Sequence, residues 1–490
     1  MDFRGNENEP LLKVQQIPQQ QRPTWISTRV KVMIYALINT IALLIAGSAQ
    51  TQYIYAYVKQ HDATKNSTTN SNKSVSKNDS KTCGVNGTSD DRIQAISADW
   101  SWYITLAEYG IAIPFIIFIG PMVDRIGRKP VLLWNLSLMT LSFAVKTLTI
   151  YFKLNLYYFL VGFAIEGLSG TFSTFSIASC ALLADTTSKG KDRTIVMVIY
   201  DAVIGLGAFI SFIGTGYLIE FTGFIYPFAI SGGIFFFFTI LVAITLDDSL
   251  VHRETTSRIQ VSVFLGQIFS LCTKVENISR GVSYILIYLL IFFIYNMPSS
   301  GSITTIFTLS SPFCWSSEHI GWFSAVSSIV VFVGGTAILK ILQTCFKNIR
   351  DELVVIFGLL SSVASYIIFG LSTTDHMIYE SAGVGILKIL PVPLIKAILS
   401  RAVHPDKQGA LFSNIYLLDT VCTIFGSTLF NNIYHHTVTL HKGFVFFVMA
   451  GFPFIALVMM IFVTCKTYST RDPVELDLDN PQIQNSDSPS

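Results

Sequence analysis

Ile234-Phe-Phe-Phe-Phe-Thr-Ile-Leu-Val-Ala-Ile-Thr-Leu246 decides the class of this fold. Phe stands on consecutive positions, and no face of a helix or strand drawn through the stretch is polar. A half-buried strand needs apolar and polar residues in alternation, and a surface helix needs a polar stripe. This run has neither and reads as a helix that is apolar all round, the pattern of a membrane span. The rest of the chain agrees. Of 490 residues, 51% are hydrophobic and only 13% charged, with mean hydropathy +0.54. Soluble chains carry about 25% charge. Phe occurs 38 times, more often than Lys and Arg together at 33. A water-soluble globule and bulk disorder are therefore excluded. A net charge of +2 gives no footprint for nucleic acid.

A bilayer core of about 30 Å needs about 20 apolar helical residues. Windows of that kind fall near 33–57, 98–120, 131–150, 156–180, 194–218, 225–246, 283–306, 319–341, 353–372, 377–400, 410–433 and 443–465. The expected fold is an all-α membrane protein of twelve helices, in two bundles of six. A β-barrel would show short alternating segments instead. The expected domains are a cytosolic tail (1–29), an N-terminal bundle (30–246), a cytosolic linker (247–282), a C-terminal bundle (283–465) and an acidic, disordered tail (466–490). No apolar run precedes the first span, so no cleavable signal is expected.

Basic clusters orient the chain. Arg125, Arg128 and Lys129, then Lys189, Lys191 and Arg193, then Lys347 and Arg350, then Arg401 and Lys407 occupy short loops on one side. The positive-inside rule makes that side, and both termini, cytosolic. The long first outer loop, about 58–97, holds N-x-[ST] sequons at Asn66, Asn72, Asn78 and Asn86, on the side where glycosylation occurs. Sequons at Asn135 and Asn277 fall in a span and on the cytosolic side and are set aside. Cys180, Cys422 and Cys465 read as small apolar packing, and Cys272 and Cys345 as reduced cytosolic thiols. Cys83 and Cys314 stand on the oxidising side, as a bridge or as two thiols.

The sharpest motif lies between the second and third windows: Gly120-Pro-Met-Val-Asp124-Arg125-Ile-Gly127-Arg128-Lys129-Pro130. Gly120 permits close helix approach and Gly127 a tight turn. Asp124 can pair with Arg128 or cap a helix. Such a cluster suits a latch that gates the cytosolic side, without touching substrate. It resembles the G-x-x-x-D-R-x-G-R-[RK] loop of the major facilitator superfamily at every defined position. Further stretches resemble one branch, solute carrier family 46, the family of the proton-coupled folate transporter. They are Ser311-Pro-Phe-Cys314-Trp315 with Ile320-Gly321, Lys407-Gln408-Gly409-Ala410-Leu411-Phe412-Ser413, Lys442-Gly443-Phe444, and Arg193-Thr194 followed by Asp201-Ala202 and Ile204-Gly205.

The resemblance implies a twelve-span carrier that works by alternating access, and an outer disulfide that falls on Cys83 and Cys314. It places Asp201 at a fifth-span acid tied to proton coupling, where Glu is usual. It places Lys396 at a basic tenth-span position, where Arg is usual. Met297 and Ser302 stand where the folate member has a proton-tuning His and an Asp, which departs from folate–proton symport.

Charged residues inside apolar windows point to function independently. A charge at mid-bilayer costs at least about 2.5–3.5 kcal/mol, so it normally faces a cavity or a partner. Glu108, Glu166, Asp201, Lys388, Lys396 and Asp419 are the candidates for substrate or proton binding. On a continuous helix Lys388 and Lys396 share a face, where two ammonium groups would attract an anion; Pro391 and Pro393 between them would kink that helix. A buried acid such as Asp201 could carry a proton. His435, His436 and His441 read as a solvated outer loop rather than a metal site, and Asp99, Trp100, Trp102 and Tyr103 as the interfacial belt at the outer end of the second span.

Glu7-Asn-Glu-Pro-Leu11-Leu12 fits an acidic dileucine sorting signal, which implies a sorting adaptor as partner; the expected address is the plasma membrane or a lysosomal or endosomal membrane. The expected function is a proton-coupled secondary transporter of a small organic anion, folate-like or a conjugated metabolite, with protons as coupling ion, no cofactor and no metal. A lysosomal exporter of other small molecules and a non-transporting receptor or scaffold are the alternatives. No P-loop and no H-E-x-x-H motif is present, so an enzyme is not expected.

Overall fold

In a computed structural model of the chain, residues 25–69, 87–187, 191–246, 279–298, 301–345, 350–402 and 408–469 are described. They are helical almost throughout, and no strand occurs among them. Span one is Trp25–Thr69, span three Arg128–Tyr151, span five Lys191–Thr222, span six Ile225–Thr245, span nine Asp351–Leu371, span eleven Gln408–Thr437 and span twelve Phe444–Ser469. The others are interrupted. Span two runs Gly87–Thr105, through a wide π turn at Leu106–Gly110, into Ile111–Arg125. Span four is Leu156–Leu168 and Thr171–Thr186, and span seven is Ser279–Asn296 and Gly301–Leu309. Span eight is Ser317–Ile329, a π turn at Val330–Gly334 and Gly335–Cys345. Span ten is Asp375–Val384, a 3-10 turn at Gly385–Leu387 and Pro391–Ala402. Among the described residues, 10 helical stretches are long and apolar enough to cross a membrane. Span seven, whose apolar part Ile285–Asn296 is short, and span eleven are not among these ten.

The Phe run shows how an all-round apolar helix is placed. Phe235, Phe238 and Val242 are fully buried, at helical spacing, whereas Phe237 is 71% and Ile244 76% exposed. Phe235 stacks on Phe143 of span three at 5.2 Å, and Phe238 meets Tyr35 of span one at 5.6 Å. One stripe thus packs in the bundle, and the other faces lipid.

Spans one to six pack mainly on one another, as do spans seven to twelve. The two halves meet where span five crosses span eight, where span eleven crosses span two, and where span one and span two touch span seven. At the first crossing, a Cβ on Gly321 would sit 2.6 Å from the Phe212 carbonyl, and one on Gly216 2.9 Å from that of Ser317. Only glycines allow the backbones so close.

Span two begins well before the expected boundary near residue 98, and span one runs on to Thr69, so the first loop is shorter than expected. Hydropathy sees the apolar core of a span, but the helix continues wherever its polar side chains find partners. Asp99 therefore lies inside a helix rather than at its end. His435 and His436 belong to the last turn of span eleven rather than to a solvated loop.

Candidate functional site

Five spans break their helix partway along, and those of spans two, seven, eight and ten bear on the site. At the π turn of span two, the widened backbone presses on span four, where a Cβ on Gly167 would collide with the carbonyl oxygen of Glu108. In span seven the chain leaves the helix after Asn296, and the freed Pro298 carbonyl accepts from the Tyr366 hydroxyl at 2.9 Å. The π turn of span eight nests against the 3-10 turn of span ten, with Gly335 facing the Ile386 carbonyl, 2.7 Å from where a Cβ would sit. Non-helical backbone at membrane depth is tolerated only inside protein or beside a cavity, and carriers build binding sites there.

Two charge groups flank these breaks. In the N-terminal half, Lys146 of span three bonds Glu166 of span four, with side chains 1% and 4% exposed. The ammonium also lies 3.5 Å from the centre of the Phe163 ring and 4.6 Å from that of Phe143. Glu108, on the π turn, lies within electrostatic reach of both charges. Sequence reasoning missed Lys146: it stands near the end of its span, where a lysine normally reaches the surface.

The second group bridges the halves. Lys396 of span ten acts on Asp201 of span five and on Asp419 of span eleven. Its ammonium lies 5.0 Å from the Tyr416 ring centre and 5.8 Å from that of Phe292. Asn296, at the break of span seven, donates to Asp419 at 3.1 Å. Asp201 is exposed by area yet faces a cation of the opposite half, as a group lining a cleft should. Cys180 is a free thiol packed against the apolar core of the N-terminal half, as the sequence reading expects. Lys388 stands beside the 3-10 turn, its carbonyl bonded by the Tyr295 hydroxyl. The helix is broken between Lys388 and Lys396, so helical spacing does not put them on one face.

Towards one end the halves are tied by a network that no motif announced. Asp90 of span two accepts from the Tyr55 hydroxyl at 3.0 Å, Gln94 at 3.1 Å, the Ser311 amide at 3.2 Å and Lys442 at 3.3 Å. Lys442 also lies 3.2 Å from Asp91 and donates to the Ser311 carbonyl at 3.0 Å. Deeper in, Tyr434 donates to Gln94 at 2.7 Å, His435 pairs with Asp99 at 2.9 Å and Trp102 donates to Thr428 at 3.0 Å. Trp102 and Asp99 thus join the two halves rather than form an interfacial belt, and His435 is a partner rather than a solvated side chain. The signal that could have exposed this was polarity at helical spacing upstream of the apolar window: Asp90, Gln94 and Ser97.

The motif loop lies at the opposite end. Gly127 has φ 109°, a conformation open to glycine, and Arg128 is 7% exposed, donating to the Val123 carbonyl at 3.4 Å. Lys129 is half-buried, and Gly120, Asp124 and Arg125 lie in the last turns of span two. Asn135 is fully buried and donates to the Ser169 and Thr171 carbonyls, so it is no glycan acceptor. Cys314 is disulfide-bonded. Asn66 falls near the end of span one. Cys83, Asn72, Asn78, Asn86, Glu7, Leu11 and Leu12 lie outside the described residues.

A family model described as Major Facilitator Superfamily matches residues 93–427. The chain belongs to this superfamily. Membership makes it a multi-pass membrane transporter and not an enzyme. It is 26% identical to the proton-coupled folate transporter of Bos taurus over 370 residues, 75% of this chain and 79% of that protein. It is 23% identical to the lysosomal proton-coupled steroid conjugate and bile acid symporter SLC46A3 of Rattus norvegicus over 467 residues, 93% of this chain and 98% of that one. The family 46 resemblance is thus met along most of the chain. Among solved structures, the human organic anion transporter MFSD10 superposes with TM-score 0.62 at 14% identity, covering 90% of this chain and 100% of that one. The transporter PepTSo gives the same TM-score at 12% identity, with 90% and 99% covered. At such identity the likeness is one of fold.

Proposed function

We propose that this superfamily member is a proton-coupled carrier of a small organic anion, with its site in the cleft between the halves. The observation that carries the reading is Lys396, within electrostatic reach of Asp201 of one half and of Asp419 of the other. One ammonium between two carboxylates can exchange partners. An anion that takes Lys396 frees an acid, which a proton then neutralises, so substrate and proton enter together. Tyr416 and Phe292 offer aromatic surface beside the cation, and Lys388 is the second anchor for negative charge. The relatives' names favour folate-like or conjugated steroid and bile acid anions.

Gly120, Asp124, Arg125, Gly127, Arg128 and Lys129 form the gate at their end, which we take as cytosolic. The Asp90 network then closes the outer end, and the conformation is inward-facing. Cys83 is the partner we assign to Cys314, and Asn66, Asn72, Asn78 and Asn86 the glycan sites of the outer loop. Glu7, Leu11 and Leu12 supply the adaptor-read address to lysosomes, where an acidic lumen would drive export to the cytosol.

The test is uptake of labelled folate and taurocholate at acidic and neutral external pH, in cells where Leu11→Ala and Leu12→Ala hold the protein at the surface. Acid-stimulated uptake of one of them is expected, lost in Lys396→Ala and stripped of its pH dependence in Asp201→Asn. Full acid-driven uptake by Asp201→Asn would remove Asp201 from the coupling step.

A further inference from the structure

Two glycine contacts hold span five against span eight. The first is the Gly216–Gly321 crossing, backbone on backbone. The second lies deeper and sets a glycine under an aromatic ring. A Cβ on Gly205 of span five would lie 3.2 Å from Cγ, 3.3 Å from Cβ and 3.4 Å from Cδ1 of Phe332. A side chain of the C-terminal half therefore rests on bare backbone of the N-terminal half, an approach that only a small residue permits. Gly205 is buried there, and Phe332 is half-buried.

Helix geometry fixes where the ring stands along span five. Residues three and four apart share a face, so Asp201, Gly205, Phe209, Phe212 and Gly216 form one row. Gly205, the Phe212 carbonyl and Gly216 each meet span eight. The ring thus lies one turn beyond Asp201 towards the Asp90 end, between the cleft group and the Gly216–Gly321 crossing.

Phe332 belongs to the π turn Val330–Gly334. The far side of that turn is pressed on span ten. A Cβ on Gly334 would lie 2.7 Å from Ile386 Cδ1, and one on Gly335 2.7 Å from the Ile386 carbonyl oxygen. Ile386 stands in the 3-10 turn just before Lys388. The ring therefore has span five in front of it and the break of span ten behind it. π turns inside α-helices recur at functional sites.

We propose that Phe332 is a gate residue, which closes the cleft on its Asp90 side by seating its ring on Gly205. In the conformation described, the ring separates Asp201 from the rest of the seam between span five and span eight. When the halves part at the Asp90 end, the ring leaves Gly205 and Asp201 opens to that side. The proposal rests on the transporter reading for the cleft at Asp201, but its test needs no substrate.

That test is the rate at which single introduced cysteines react with an impermeant maleimide, in the full-length protein in sealed membrane vesicles. Leu440→Cys, at a site 84% exposed near the Asp90 end, tells the two sides apart. The reagent is given on the side from which that cysteine stays unlabelled. Each rate is the excess over protein without the introduced cysteine. We expect Asp201→Cys to react readily and Phe209→Cys, one turn beyond the ring, to react slowly. Phe332→Ala should speed labelling of Phe209→Cys severalfold and leave that of Asp201→Cys little changed. Gly205→Leu, whose side chain displaces the ring, should do the same. Joined with Phe332→Ala it should restore slow labelling, because the leucine fills the vacated space. A Phe209→Cys rate unchanged by loss of the ring overturns the proposal. If Gly205→Leu fails to fold, Phe332→Ala decides alone. Asp201→Cys unlabelled from that side would refute the cleft of the transporter reading, and the gate with it. Phe209→Cys as fast as Asp201→Cys in the parent protein would refute the gate alone.

Discussion

Lys146 stands where its stem could reach the membrane surface, yet its ammonium is turned inward between two aromatic rings and onto Glu166. Taking one partner from such a pair leaves a buried charge alone, at a cost of about 3–5 kcal/mol, whereas replacing both with apolar groups is often neutral. Glu166→Gln should therefore lower the melting temperature of the detergent-purified protein clearly. The double variant Lys146→Met with Glu166→Leu should recover most of the loss. Equal destabilisation by single and double variants would mean that the site depends on charge rather than on pairing. Gly162 enters the same account: a Cβ there would lie 2.6 Å from the Lys146 Cγ, so the lysine stem fills the space that a side chain on span four would take.

The crossing of span five and span eight is set by Gly216 and Gly321, each of which presents its Cα to the other helix. A side chain at either position must push the backbones apart, because the atoms it meets are backbone and cannot rotate away. Gly321→Leu is expected to open the crossing and so favour the state in which the Asp90 end is parted. A cysteine placed at Tyr217, beside Trp322, should then react faster with a membrane-impermeant thiol reagent than in the parent protein. Unchanged reactivity would show that the crossing does not govern the gate. The interruptions in spans two, seven, eight and ten obey a different rule. The breaks of spans seven and ten free backbone carbonyls that neighbouring spans satisfy, as Tyr366 does for Pro298 and Tyr295 for Lys388.

For the molecule as a whole, the conformation is held by polar ties between the halves at the Asp90 end. Losing hydrogen bonds to a half-buried charge costs about 1–3 kcal/mol, which corresponds to a shift of about 5–150-fold between two states. Asp90→Asn with Lys442→Ala should therefore lengthen the distance between spin labels at Phe221 and Leu440, both highly exposed, in a double electron–electron resonance experiment. An unchanged distance distribution would place the ties elsewhere. Much of this molecule was legible beforehand. Runs such as Ile234–Leu246 identify membrane helices because a bilayer demands length and apolarity, both local properties. Six intramembrane charges stood out because each is costly in lipid, and the motif from Gly120 to Lys129 has fixed spacing. Lys146, the Asp90 network and the His435–Asp99 pair were not legible, because hydropathy ignores polar residues at a span's ends. Helix class, membrane setting and superfamily were thus determined by the sequence itself. The tertiary structure alone decided which Phe of the run faces lipid, which acids come within electrostatic reach of Lys396, and which end carries the polar ties between the halves. Those outcomes depend on partners brought from distant spans, and no local pattern carries them.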